Sequence, residues 1–510
     1  MSEKLGREGD QETPLSPDTV DQPRLAMAIL YVGSEFTSVH EPVEKGFLRM
    51  IMYLLSITRN YTVEQPTGDN VKIRFKAACP SFALLIFSLL FSGCQPKVYL
   101  MPTPVGLDSE SSVFEILEDT KNSNWLYTLY ATNREPLSNP FKTNKYSIFP
   151  SDSLRLGYVV HRVGDRSMTW DDLQRISLEG DRSQDLLIEQ IRTREMAHYD
   201  LADQKKQRLD RAEGFFYEIN RALEKSYSKD LLVYVHGANS NFYRATAQGA
   251  QLFHFSGHNL AVVTFSWPSA ESILKYKVDV MHASKTVPAF ARLIEVLAHN
   301  TKAKNINILA YSAGAQVVTP GLSYLRELYP GLAAHKLKEK LRIGEVYFAA
   351  PDTDFGPFID RYMEFRDIVE RVSIKINQSD RVLRFAAMSN GISRLGRPNW
   401  NELSEEENRA ITEALRTDKL EILNISDSKA PHMGGSHGSW YKHTWVSNDL
   451  LLLMLFNASP QERGLVEYRL GNGERGYYFP HNYEEKIREI IRQGREELSK
   501  NSIEKSVEPQ

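Results

Sequence analysis

The sequence predicts an α/β fold: a mainly parallel sheet with helices on both faces, preceded by an N-terminal β/α extension. Two observations carry that expectation. From Asp230 onward, short and nearly continuous apolar runs recur at 231–235, 260–265, 306–310, 344–349, 372–376 and 420–425, with helical lengths of chain between them. A strand buried on both faces has no polar side to display, so such runs point to parallel strands sandwiched between helices. Upstream, residues 125–131 and 154–161 alternate apolar with other residues and are rich in aromatic and β-branched side chains, the pattern of strands with one face buried.

The chain has 510 residues, enough for a large core with an appendage. At 42% hydrophobic and 25% charged, its composition is that of an ordinary globular protein. A formal net charge of -3 lacks the basic excess with which a nucleic-acid binder holds phosphates, so nucleic acid is not expected as a partner. The two cysteines, Cys79 and Cys94, share one short stretch, and the body of the chain can build neither a disulfide framework nor a cysteine zinc site.

Residues 1–24 are polar and rich in Pro, Glu and Asp, and 1–70 are read as a poorly ordered extension. In residues 71–94 a basic flank with Lys72, Arg74 and Lys76 precedes an apolar run from Ala77 to Phe91, then Ser92-Gly93-Cys94. That is the order of regions in a signal peptide, and it resembles a bacterial lipoprotein signal with Cys94 as the lipidated position. Its place some 70 residues into the chain fits a translation start nearer Val71. The apolar run of 15 residues is shorter than the ~20 of a spanning helix. The expectation is therefore an exported protein of the cell envelope, with the membrane as a partner through a lipid anchor; a retained single-pass anchor is the alternative.

Residues 95–123, with Pro96, Pro102 and Pro104, read as a linker. Residues 124–228 form the extension before the core, ending in charged stretches whose apolar positions, Leu186, Ile188 and Ile191 and then Phe215, Phe216, Ile219 and Leu223, suggest helices over 184–226. The core spans 229–456. The tail, 457–510, has a turn at Gly471-Asn-Gly473 and a charged helix from about Tyr483 to Leu498.

Chemistry concentrates around Ala310-Tyr-Ser-Ala-Gly314, where an apolar run ends and a helix is expected to begin. A serine on such a strand-to-helix turn needs small residues two positions to either side, and Ala310 and Gly314 meet that need although the usual first glycine is replaced. Ser312 is the candidate nucleophile of an α/β-hydrolase fold. His236-Gly-Ala-Asn239 ends an earlier run, where Ala238 or Asn239 can offer one backbone N–H and Ala313 another to an oxyanion. His236 itself reads as stabilising that loop. The acid and base are expected downstream in that order. Asp380 is the preferred acid, Asp352 and Asp354 the alternatives; His437, among glycines, is the preferred base, His443 the alternative.

These segments, with Phe265-Ser-Trp-Pro-Ser-Ala270, Tyr276, Asp279, Ala350-Pro-Asp-Thr-Asp354 and Ser379-Asp-Arg381, resemble a bacterial family of α/β hydrolases catalogued mainly as a domain of unknown function. The resemblance extends over about 124–456 and includes Leu154-Arg-Leu-Gly157 and Met168-Thr-Trp170. It implies the fold and esterase-like chemistry and supplies no substrate; the expected Ser, His and Asp themselves point to a small acyl-ester or lipid-like substrate and require no cofactor or metal. The alternatives are a catalytically inactive binding module and a peptidase or amidase, which the same three residues could serve.

Overall fold

The computed structural model describes residues 97–108, 123–138, 145–180, 182, 184–202, 212–272, 275–417, 419–426 and 437–493. The strands are β1 (Trp125–Pro136), β2 (Tyr146–Val163), β3 (Ile188–Asp200), β4 (Leu231–Val235), β5 (Ala261–Phe265), β6 (Ile306–Tyr311), β7 (Ile343–Ala349), β8 (Val369–Ile376), β9 (Leu420–Asn424), β10 (Val466–Arg469) and β11 (Arg475–Tyr478). The helices are α1 (Trp170–Leu178), α2 (Ala212–Lys225), α3 (Phe242–Phe255), α4 (Tyr276–Asn300), α5 (Ala315–Glu327), α6 (Ala334–Leu341), α7 (Phe355–Phe365), α8 (Arg381–Asn390), α9 (Glu405–Arg416), α10 (Ser439–Lys442) and α11 (Thr444–Phe456).

One sheet of 11 strands runs in the order β10-β11-β9-β8-β7-β6-β4-β5-β1-β2-β3. Strands β4 to β9 are mutually parallel, while β2, β3 and β10 pair antiparallel with their neighbours at the two ends. The chain steps outward from β4 to β5, then returns past β4 to β6 and continues in that direction. Right-handed crossovers in opposite directions place helices on opposite faces. Accordingly, residues of α4, α5, α7 and α9 share one large core with one face of the sheet. Residues of α3, α10 and α11 join Leu232, Tyr234, Leu309 and Tyr347 on the other. In a doubly wound sheet such a reversal, here beyond the carboxyl ends of β4 and β6, marks the crevice that takes the ligand.

The six apolar runs are β4 to β9, and the helix-flanked, mainly parallel sheet is as expected. Residues 188–200 differ: they form strand β3, not helix, pairing along the length of β2 with Ile188, Gln190, Ala197 and Tyr199 buried. A long unpaired edge on β2 wins over the local helical spacing, since each ladder position satisfies backbone groups that the edge would leave exposed. Residues 97–108, expected within a linker, are packed instead: Leu100 and Met101 are buried, and Gly106 N–H donates to Asn448 Oδ1 at 3.0 Å. The turn at 471–473 closes the β10–β11 hairpin.

The signal-like segment 71–94, including Cys94, lies outside the described residues. Among the described residues no helix is long and apolar enough to cross a membrane. This overturns the expected membrane partner and, with it, the lipoprotein and membrane-anchored placement at the cell envelope. The physical reason is charge. Helix α4 has 25 residues, but its sequence carries Lys277, Asp279, Lys285, Arg292 and Glu295, each expensive to place in hydrocarbon.

Candidate active site

Strand β6 ends at Tyr311, and Ser312 takes a left-handed backbone with φ of 52° before a single 3-10 turn leads into α5. A side chain in that region costs about 1–2 kcal/mol and persists only where its surroundings enforce it. The enforcing contacts come from the end of β4. A Cβ on Gly314 would stand 2.6 Å from the Val235 carbonyl oxygen, and one on Gly237 would stand 2.9 Å from the Ser312 Cβ. The two turns press together at a separation only glycine allows.

Three of the residues expected from sequence meet here. Ser312 Oγ lies 2.6 Å from His437 Nε2, and His437 Nδ1 lies 2.8 Å from Asp380 Oδ2. Asp380 follows β8 and caps α8, its Oδ1 accepting from the Leu383 N–H at 3.0 Å, so one carboxylate fixes both a helix start and the imidazole. An ionised carboxylate only accepts; Nδ1 therefore carries the proton, which leaves Nε2 to accept from the Ser312 hydroxyl. Asp380 is fully buried, while Ser312 and His437 are 6% and 8% exposed, enough for a small molecule to touch. Burial opposes a charge on His437, but the Asp380 carboxylate outweighs it and holds the imidazole above its ordinary pKa.

The alternative residues have other partners. Asp352 Oδ1 pairs with Arg394 Nε at 2.6 Å, and the same guanidinium bonds Asp354 and the Tyr276 hydroxyl. Asp352 still borders the site, its N–H donating to the Ser312 carbonyl at 3.1 Å. His443 caps α11, its Nδ1 accepting from the Trp445 N–H at 3.2 Å. His236 stacks on Trp267 with ring centroids 5.3 Å apart, and the Trp267 indole N–H donates to the His236 carbonyl at 2.6 Å. Burial pushes its imidazole down to about 3, so His236 is a neutral brace for the loop.

That loop holds the oxyanion candidates. Asn239 has φ of 52°, and its N–H turns to the Asp279 carboxylate, which leaves Ala238 as the loop's donor. Asp279 also accepts from the Ala270 N–H at 2.5 Å. Burial raises its carboxyl to about 6, offset by those two N–H groups and Arg134. Arg134, reaching in from β1, donates to the Ser240 carbonyl at 2.6 Å and to Ser266 Oγ at 3.1 Å. The N-terminal extension is thereby tied to the loop. Ala313 N–H opens the 3-10 turn, where the first donors have no acceptor within the helix.

With this geometry in view, comparison with known proteins is informative. A family model described as "Alpha/beta hydrolase of unknown function (DUF900)" matches residues 213–448. The core is alpha/beta-hydrolase-like. The matched span holds β4 to β9 and all three of Ser312, Asp380 and His437, but leaves out β1 to β3, to which the resemblance in sequence had been extended. An uncharacterized protein of Nostoc sp., alr1448, is 29% identical over 185 residues, covering 30% of this chain and 46% of that protein. The chain thus matches less than half the length of this relative.

Sequence reasoning missed Arg394 and Arg134. Each is a single polar residue in a strand or loop, with no spacing to mark it. Among the described residues no cluster of three or more His, Cys, Asp or Glu side chains is arranged to hold a metal ion.

Proposed function

We propose that this protein is a serine hydrolase that cleaves carboxylic esters. Ser312 is the nucleophile, His437 the general base and then acid, Asp380 the carboxylate that orients the imidazole, and the N–H groups of Ala238 and Ala313 the oxyanion donors. The observation that carries this reading is the unbroken hydrogen-bond chain from Asp380 through His437 to the Ser312 hydroxyl at the crevice of the sheet.

The steps follow from these positions. Nε2 of His437 takes the Ser312 proton as Oγ bonds to the substrate carbonyl carbon, and the carbonyl oxygen gathers negative charge between the two N–H groups. The imidazolium, stabilised by Asp380, returns the proton to the departing alkoxide, leaving an acyl-serine. A water activated by His437 then releases the acid. The strained Ser312 backbone lifts Oγ out of the strand and keeps it aimed at that carbon.

Hydrolysis of 4-nitrophenyl butyrate by the purified full chain tests the reading. Turnover by the wild type, with a loss of about 10^4-fold or more in Ser312→Ala, is expected. No turnover, or equal turnover by the variant, would contradict it.

A further inference from the structure

Beside the Ser312 turn stands a cation that no acid among the described residues answers. Arg244 stands in the first turn of α3, directly after the loop that faces Ser312, and is half-buried. Its Nη1 lies 3.5 Å from the Asn239 carbonyl oxygen. Phenols are among its other neighbours, the Tyr441 hydroxyl within hydrogen-bonding reach and Tyr311 and Tyr234 nearby, and the imidazole of His236 also feels its charge. Among the described residues no carboxylate pairs with it.

These phenols belong to the site wall. Tyr311 precedes the nucleophile, and its ring centroid is 5.5 Å from that of His437 and 5.8 Å from that of Tyr441. Tyr441 lies one helical turn beyond His437, and a Cβ on Gly438 would stand 2.8 Å from its hydroxyl. A second cation, Lys442, lies 5.8 Å from the Tyr441 ring and acts on the charge of His437. Burial resists ionisation of Tyr441, yet the charges of Arg244 and Lys442 prevail and hold its phenol below the ordinary range. The opposite flank is internally matched, with Arg394 between Asp352 and Asp354.

A half-buried guanidinium whose partners among the described residues are a carbonyl and a phenol is desolvated without a compensating charge, and its planar fork is suited to a ligand carboxylate or phosphate that would supply one. We infer that Arg244, oriented by Tyr441 and assisted by Lys442, binds a carboxylate or phosphate carried by the substrate, so that the enzyme selects anionic esters. This rests on the ester-hydrolase reading of the same site. Arg244 positions substrate and takes no part in bond making.

The test compares kcat/KM within two matched pairs of esters: neutral 4-nitrophenyl butyrate with the 4-nitrophenyl monoester of glutaric acid, anionic on the acyl side, and neutral acetyl glycerol with acetyl glycerol phosphate, anionic on the leaving side. Wild type is expected to prefer one anionic ester over its neutral counterpart, and which one tells where the anion sits. Arg244→Met should cut that preference by about 10-fold or more, the worth of a charge-assisted hydrogen bond, and Arg244→Lys should keep most of it. In wild type the preference should also weaken with added salt, a reading that needs no variant to fold. In parallel, calorimetry follows binding of each anionic ester to Ser312→Ala, where Arg244→Met should weaken the tighter of the two by a similar factor.

A wild type with no anionic preference, or a preference unchanged in Arg244→Met and by salt, overturns the inference. Arg244-dependent binding without turnover of any ester would retain the anion site and remove the hydrolase reading. Turnover of the butyrate with binding indifferent to Arg244 would do the reverse.

Discussion

Two buried groups of ionisable residues lie in this sheet, and they are built to opposite ends. At the carboxyl edge, Asp380 meets His437, whose far nitrogen meets the Ser312 hydroxyl. Between the sheet and α11, Arg463 bonds Asp449 Oδ1 at 2.7 Å, Glu421, and the Ala458 carbonyl at 3.1 Å. Lys375 lies beside it, its ammonium 4.8 Å from the Tyr347 ring centre. Asp449, Arg463 and Lys375 are each no more than 1% exposed. The second group pairs Arg463 internally with Asp449 and Glu421, leaves the Lys375 ammonium without a hydrogen bond among the described residues, and has no strained backbone in its strands. The first is slightly more open, with Ser312 6% and His437 8% exposed, and around it Ser312, Asn239 and Ala350 all have positive φ, at or just beyond the ends of β6, β4 and β7. Burial and ion pairing are common to both. Strain with access to solvent distinguishes the site.

Asp380→Asn should break the contrast most sharply. It keeps the shape but gives Nδ1 a competing donor and the wrong tautomer, and kcat should fall by about 10^3- to 10^4-fold with little change in Tm. Arg463→Met is its mirror image. It leaves Asp449 and Glu421 buried without their cation, and denaturant titration should show a loss of about 3–5 kcal/mol while the folded fraction keeps its activity.

Asp352→Asn falls between them. Arg394 loses one of two carboxylates, so stability should drop by about 1–3 kcal/mol and activity by less than 10-fold, a far smaller loss than at Asp380. If Asp352 supplied the acid, the two activities would be reversed.

Smaller effects come from pH. His437 acts as a base only when neutral and its pKa is raised, so the acid limb of kcat/KM should lie above pH 6.5; Asp380→Asn should move it down. Lys375 has the opposite sense. Burial pushes its ammonium down to about 7, so between pH 7 and the ordinary lysine value near 10.5 the unfolded chain holds a proton that the folded one has lost. Stability then rises with pH over that window, and Lys375→Met should flatten the rise in denaturant titrations.

The strands from β4 to β9 were legible because burial on both faces leaves an unbroken apolar run, and their ends carry the site. Ser312 was legible through its small neighbours, and the order of Ser312, Asp380 and His437 followed from the order of strands. The choice between Asp380 and Asp352 needed coordinates, since both end parallel strands and only Asp352 has Arg394, 42 residues away, to claim it. Strand β3 was hidden because its solvent-side residues are charged and its buried ones sparse. Arg244 gave no sign, because its isolation from the carboxylates of the described residues exists only in three dimensions.

The most direct test of the central claim is mass-spectrometric mapping of the adduct formed when the full chain reacts with a fluorophosphonate. The account predicts a single modified serine, Ser312, with no adduct in Ser312→Ala. Modification elsewhere, or labelling undiminished in the variant, would contradict it.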